Sequence, residues 1–310
     1  MSERARSATP PHIRDALQLG RVGIMSIQAA RLPAALARDA VRAIDALGYG
    51  ALWLPEGGFH KEIFANSTLL LASTERLRIV TAIANVWARE PSAMLAGANT
   101  IAEAFPGRFG LSLGIGHVEE VEGPRGRRYE KPIDFMRRYV EAMDASPYDA
   151  AAPAMPAPRL IAAFGPRMLA LAREISSGTN PSFVPVAHTT YAREVLGPEP
   201  LLCPGLPLVL TDDRRVALEV GRGYTSAYLR WDNYRANLRR LGWSDADMDN
   251  GGSDALVQAI VAWGEPSRIR ERAEQHFAAG ADHVCLRPLP QGAPQFPIEA
   301  FEVLAPAMLE

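Results

Sequence analysis

Short continuous apolar runs alternate along this chain with longer stretches in which apolar residues recur every three or four positions. The runs are Arg21–Ile27, Ala51–Pro55, Leu77–Val86, Phe109–Gly116, Arg159–Phe164, Thr179–Val184, a proline-broken segment within Leu201–Thr211, and His283–Leu289. Most lack strict apolar–polar alternation, as expected for strands covered on both faces. Between them lie amphipathic helices. Leu36, Ala40, Ile44 and Leu47 form one stripe, with Pro33 at its start and Gly48 as its stop. Met94, Ala98, Ile101 and Phe105 form a second, closed by Pro106-Gly107. Met168, Leu171, Ala172 and Ile175 form a third, entered through Gly165-Pro166, and Ile269, Ala273 and Phe277 a fourth, between Pro266 and Gly280. Two extra helices, Trp231–Leu241 and Ser253–Trp263, precede the last strand. Strand and helix alternating about eight times predict an α/β fold, a parallel (β/α)8 TIM barrel. A doubly wound open sheet is the alternative, but no GxGxxG opens a helix after the first strand.

Composition narrows the function classes. Hydrophobic residues make up 48% and charged residues 22% of 310, ordinary globular usage that fits one barrel domain over 20–310. The polar segment 1–19, without an apolar signal core, reads as a flexible tail. A net charge of −2 gives no electrostatic case for nucleic acid, and no apolar run reaches membrane-spanning length. Cys203 and Cys285 are in no metal-binding spacing and read as reduced thiols of a cytoplasmic protein. No His, Asp and Glu set has a recognisable ligand spacing, so no metal is expected.

Candidate chemistry gathers at the predicted C-terminal ends of the strands, where parallel α/β folds place their sites. Gly114 and Gly116 would let a ligand approach the fourth strand closely, or would serve strand–helix packing. His117 closes that strand and suits proton transfer near neutral pH, or is a solvated loop histidine. Gly165-Pro166-Arg167 opens a helix whose free N–H groups, with Arg167, suit an anion, or is a plain strand–helix turn. Arg287 either faces the barrel mouth or pairs with an acid. The segment 118–158, with its basic run Arg125, Arg127 and Arg128, reads as a lid or a solvated loop.

The order LWLPE, TAIANVWAREP, GRFGLSLGIGH, LIAAFGPRMLALARE and AGADHVCLRPL resembles the bacterial luciferase-like superfamily, and within it the deazaflavin (coenzyme F420)-dependent oxidoreductases. The resemblance runs from about Gly20 to Leu289. It implies a barrel with the cofactor ring at the C-terminal mouth. A non-proline cis peptide at Ala82–Ile83 would back the ring, near Asn85, with Trp87 a candidate flank. Gly165, Pro166 and Arg167 would contact the phosphate-bearing tail, and Thr179, Asn180 and His188-Thr189-Thr190 would complete the rim. His117 stands where similar enzymes often have an acid. Glu56 stands as the acid of an acid–histidine pair whose histidine is replaced by Gly57, with His60 a few residues away. The implied activity is hydride transfer between F420 and a small-molecule organic substrate. An FMN-dependent monooxygenase, or a cofactor-binding barrel without turnover, is the alternative. Similar barrels often form homodimers through helices beside the early strands, near Tyr49, Trp53 and Phe64, residues that a core role explains equally well.

Overall fold

The computed structural model describes residues 17–57, 60–290 and 295–309. Its strands are β1 (Val22–Met25), β2 (Ala51–Leu54), β3 (Arg78–Thr81), β4 (Ala84–Asn85), β5 (Phe109–Gly114), β6 (Arg159–Ile161), β7 (Gly178–Thr179), β8 (Leu201–Leu202), β9 (Gly205–Val209), β10 (Ala262–Trp263) and β11 (Val284–Pro288). All pairings are parallel. β1 joins β2, β2 joins β3, β3 joins β5, β5 joins β6, and β11 joins both β1 and β9. Ser177 N–H donates to Arg159 O at 2.6 Å and Leu201 N–H to Ser177 O at 2.8 Å, which carries the ladder from β6 through β7 to β8. β8 and β9 lie in one extended segment. Its first half pairs with β7 and its second with β11, so the hydrogen bonds run around a (β/α)8 barrel.

The apolar runs sort by side-chain parity. Ile24, Leu52, Leu54, Ile79, Leu111, Leu113, Ile161 and Leu286 face the surrounding helices. Met25, Ala51, Trp53, Val80, Leu160, Cys203 and Cys285 pack inside the barrel. Two-residue periodicity then puts His283, Cys285 and Arg287 of the last strand on the inner face, from bottom to top. At the bottom, His283 Nε2 accepts from Trp53 Nε1 at 3.0 Å and its Nδ1 lies 2.8 Å from Gly20 O. Leu17 and Leu19 close the same end and are buried, so the expected tail is packed structure from Leu17 onward, and 1–16 lie outside the described residues. Tyr49 and Trp53 are core residues.

The expected helix stripes appear at Ala34–Leu47, Pro91–Ala104, Pro166–Ile175 and Pro266–Ala278, and Gly48 ends the first with φ +94°. The extra helix Asp232–Arg240 stands as expected, but the one expected at Ser253–Trp263 stops at Ile260. Its last residues, Ala262 and Trp263, instead pair with Leu208 and Val209 of β9. Sequence periodicity does not single out Ile63–Leu71, apolar on most sides, or Arg214–Leu229, which contains two glycines. Gly221 within the latter admits close packing, since a Cβ there would sit 2.7 Å from Val257 Cγ1. No helix among the described residues is long and apolar enough to cross a membrane.

Candidate active site at the barrel mouth

A cavity of about 1670 Å³ opens at the C-terminal ends of the strands. One wall is the break between β3 and β4. The Ala82–Ile83 peptide is cis, at the bond expected from the resemblance. It turns Ile83 toward β5, where a Cβ on Gly114 would stand 2.3 Å from Ile83 Cγ1. Gly114 therefore makes room for a neighbouring side chain, and an apolar bulge lines the cavity. Gly116 adopts φ +63°, and a Cβ there would lie 2.9 Å from Asn85 Nδ2.

Glu56 locks this wall from β2. Its Oε2 accepts the Asn85 backbone N–H at 2.7 Å and Arg89 Nη1 at 3.1 Å, while Arg89 Nη2 donates to Oε1. Arg89 also pairs with Glu62 at 2.9 Å and lies over the Phe64 ring. Both partners are nearly buried, with side-chain exposures of 12% for Arg89 and 7% for Glu56. Trp87 stacks on Phe135 at 3.8 Å and donates to Ile115 O at 2.8 Å. It pins the helix Pro132–Asp144 behind the wall and does not line the cavity.

The wall continues through Ala162, Ala163 and the Gly165–Arg167 turn. The free N–H groups at the start of the helix Pro166–Ile175 face a region shared with Arg167 and Arg240, whose guanidinium lies 3.6 Å from a Cβ position on Gly165. Asn180 lines the cavity and accepts from Ser112 Oγ at 2.6 Å. Of the other expected rim residues, Thr190 is exposed and lines no part of the cavity, and Thr179, His188 and Thr189 lie behind Asn180. Thr179 Oγ1 accepts from Ala163 N–H, His188 Nε2 donates to Phe164 O, and Thr189 pairs with His276.

The facing wall is aromatic. The helices Arg214–Leu229 and Asp232–Arg240, with Trp231 between them, bring Tyr228, Trp231 and Tyr234 over β9 and β11, against Phe164 and Phe183. Tyr228 stacks on Phe183 at 4.7 Å and 5°. Arg287 enters from β11, donates to Tyr228 Oη at 2.7 Å and sits over the Tyr224 ring. His117 bridges the walls, since it follows β5 and stacks on Trp231 at 4.2 Å. Burial lowers its pKa below 6.5, more strongly than the carboxylates of Glu120 and Glu119 raise it, so its imidazole is neutral near neutral pH. His60 lies over Gly57, with Cε1 2.5 Å from where a Cβ would be, and accepts from Arg31 Nε at 2.9 Å. An imidazole thus occupies the space of a side chain at 57, supplied from three residues further on.

The profile of the luciferase-like monooxygenase family matches residues 17–283. The chain belongs to the luciferase-like monooxygenase family. It is 26% identical over 271 residues to a Mycobacterium tuberculosis protein named "Putative coenzyme F420-dependent oxidoreductase Rv3520c", covering 67% of this chain and 78% of that one. Among solved structures it is similar to an F420-dependent secondary alcohol dehydrogenase in complex with an F420-acetone adduct. That match has a TM-score of 0.73 and 15% identity, covering 93% of this chain and 98% of the other. The F420-dependent tetrahydromethanopterin reductase of Methanopyrus kandleri matches with TM-score 0.69 and 14% identity, covering 94% and 99%. A type II Baeyer–Villiger monooxygenase of Pseudomonas putida, in complex with FMN, matches with TM-score 0.69 and 15% identity, covering 93% and 98%.

In this luciferase-like barrel Glu56, Ala82, Ile83, Asn85, Gly114, Gly116, His117, Gly165, Pro166, Arg167 and Asn180 all line the one cavity. Sequence reasoning missed Arg89 as the partner of Glu56, and missed Tyr228, Trp231, Tyr234 and Arg240. The last three lie on or at the start of a helix that the periodicity did show, but nothing in its spacing told which face turns to the barrel. Among the described residues no group of three His, Cys, Asp or Glu could hold a metal.

Proposed function

We propose that this chain is an F420-dependent oxidoreductase that exchanges a hydride with a small organic substrate held in the barrel mouth. The observation that carries the reading is the Ala82–Ile83 bulge seated against Gly114, which presents an apolar backing to a cavity large enough for a tricyclic ring and a substrate. The residues present fit such a group. Ile83 and Ala82 would back the ring, and Asn85 and the Gly114–Gly116 backbone would border it. The helix start at Gly165–Pro166, with Arg167 and Arg240, would take the phosphate of the tail. Asn180 would border its inner end.

The chemistry a bound deazaflavin supplies is hydride exchange at one ring carbon. The protein's share is positioning and proton handling. Glu56 holds the Asn85 backbone and Arg89 with both of its oxygens, so it acts as a positioning residue that fixes the bulge. His117 is the catalytic residue of the proposal. Its neutral imidazole accepts or returns, at a ring nitrogen, the proton that accompanies hydride transfer. Trp231 holds that ring in orientation and the aromatic wall keeps water from the substrate's reacting face.

A second reading, an FMN-dependent monooxygenase, is favoured by the family's description and by the FMN complex with the same fold. Equilibrium titration with F420 and with FMN, followed by fluorescence, separates the two. Micromolar or tighter binding of F420 with weaker FMN binding is expected. Preference for FMN would overturn the F420 assignment in favour of the monooxygenase, and binding of neither would overturn both.

A further inference from the structure

Arg287 has charge that nothing on its own strand or its neighbours compensates. It lies on the inner face of β11, one layer above Cys285, with its head group at the cavity. Its partners are the hydroxyl of Tyr228 and the face of the Tyr224 ring. No carboxylate among the described residues lies within ion-pair distance. A cation taken out of bulk water is costly unless an anion or a set of acceptors receives it. Tyr228 is already fixed by its stack on Phe183, so it does not need the whole guanidinium to hold it.

The surroundings say what shape of anion fits. The barrel order places β11 three strands from β3, through β1 and β2, so Arg287 stands well round the mouth from the Ala82–Ile83 bulge. The cationic turn at Gly165–Arg167 follows β6, two strands from β3 through β5, and meets the aromatic wall only at Phe164 and Arg240. Around Arg287 the wall is aromatic, with Tyr228, Phe164, Trp231 and Tyr234 lining the cavity and Tyr234 standing edge-on to Tyr228 at 81°. A guanidinium offers a planar fork of N–H donors that matches a carboxylate through two parallel hydrogen bonds.

We propose that Arg287 is a specificity-determining residue that anchors the carboxylate of the substrate, with Tyr228 orienting the guanidinium and the aromatic wall stacking on the substrate's unsaturated body. The site selects planar unsaturated or aromatic carboxylates over their neutral counterparts. This rests on the assignment of the bulge wall to the cofactor, but its test needs no cofactor, so the two readings fail separately.

The test is equilibrium binding of benzoate and of benzamide to the purified protein without F420, read by quenching of tryptophan fluorescence, with Trp231 in the cavity wall as reporter. The wild type is expected to bind benzoate at least about tenfold more tightly than benzamide. Arg287→Gln is expected to bind the two equally. Arg287→Lys, which keeps a charge but loses the fork, is expected to keep only part of the preference and serves if the glutamine variant does not fold. Equal binding by the wild type, absence of benzoate binding up to about ten millimolar, or a preference unchanged in either variant would overturn the proposal. A preference that survives in Arg287→Gln and vanishes in Arg167→Gln would place the anion on the other wall and overturn it as well.

Discussion

The two walls of the cavity are built by different means. On the bulge side, backbone does most of the work. A cis peptide, two glycines and a helix start set the surface, and side chains such as Glu56 and Arg89 reach in from behind to lock it. On the aromatic side, backbone is hidden and side chains from 164 to 287 make the surface by packing ring against ring. The first construction admits few substitutions, because each glycine is pressed against a neighbour. The second can be repacked residue by residue without moving a strand. That division suits a constant ligand on one side and a substrate particular to this chain on the other.

The comparison is broken most sharply at Glu56. Glu56→Ala leaves the nearly buried Arg89 only the more exposed Glu62 as an acid and takes the acceptor from the Asn85 N–H, so the cost approaches the about 3–5 kcal/mol of a broken buried pair. Denaturant unfolding should show that loss, with F420 binding weakened. Glu56→Gln, which keeps an acceptor for the Asn85 N–H, should lose less. If the glutamine variant kept full stability and F420 affinity but lost turnover, Glu56 would be an acid in the reaction and no longer a brace.

His117, where the walls meet, ranks next. His117→Phe keeps a ring to stack on Trp231 but removes the proton acceptor, so kcat on a substrate found by screening should fall about a hundredfold with F420 affinity unchanged. An NMR titration of the imidazole should give a pKa below 6.5, the direction set by burial. The sign follows for stability too. The folded protein resists protonation at His117, so its contribution is intact above about pH 6.5 and is lost as the pH falls toward the lowered pKa. A pKa at or above 6.5 would remove the neutral acceptor from the proposal.

The smallest effect is expected at Gly114. Gly114→Val drives a side chain into Ile83, and overpacking of this kind costs about 1–3 kcal/mol. F420 binding should weaken about tenfold while the benzoate preference at Arg287 stays as in the wild type. Equal damage to both ligands would mean that the walls are one cooperative unit.

Much of the bulge wall was legible in the chain, because its residues are close in sequence. TAIANVWAREP and GRFGLSLGIGH each carry their own bend, glycines and polar stop. The part of it that was not legible is the lock: Glu56 and Arg89 are 33 residues apart and meet only when β2 and β3 pair. Gly57 looked like the loss of a histidine, yet His60 folds back over it, a move that spacing along a loop does not reveal. Trp87 looked like a pocket flank, but its stack on Phe135 depends on where the helix Pro132–Asp144 packs.

What the sequence determined by itself is the barrel and the end of it at which the candidate site residues gather. Continuous apolar runs need cover on both faces, helices between parallel strands provide it, and polar groups at the strand ends then share one mouth. What only the tertiary structure decided is which side chains face each other across that mouth. Arg287 was equally open to pairing with an acid or facing the cavity, and strand parity alone could not choose. Its partner, Tyr228, is 59 residues away on a helix outside the barrel core. Only the packing of that helix over β11 brings the phenol to the guanidinium and leaves no carboxylate beside it among the described residues. The physical reason is range: local pattern is fixed by backbone geometry over a few residues, whereas charge compensation depends on every element that happens to fold against the site.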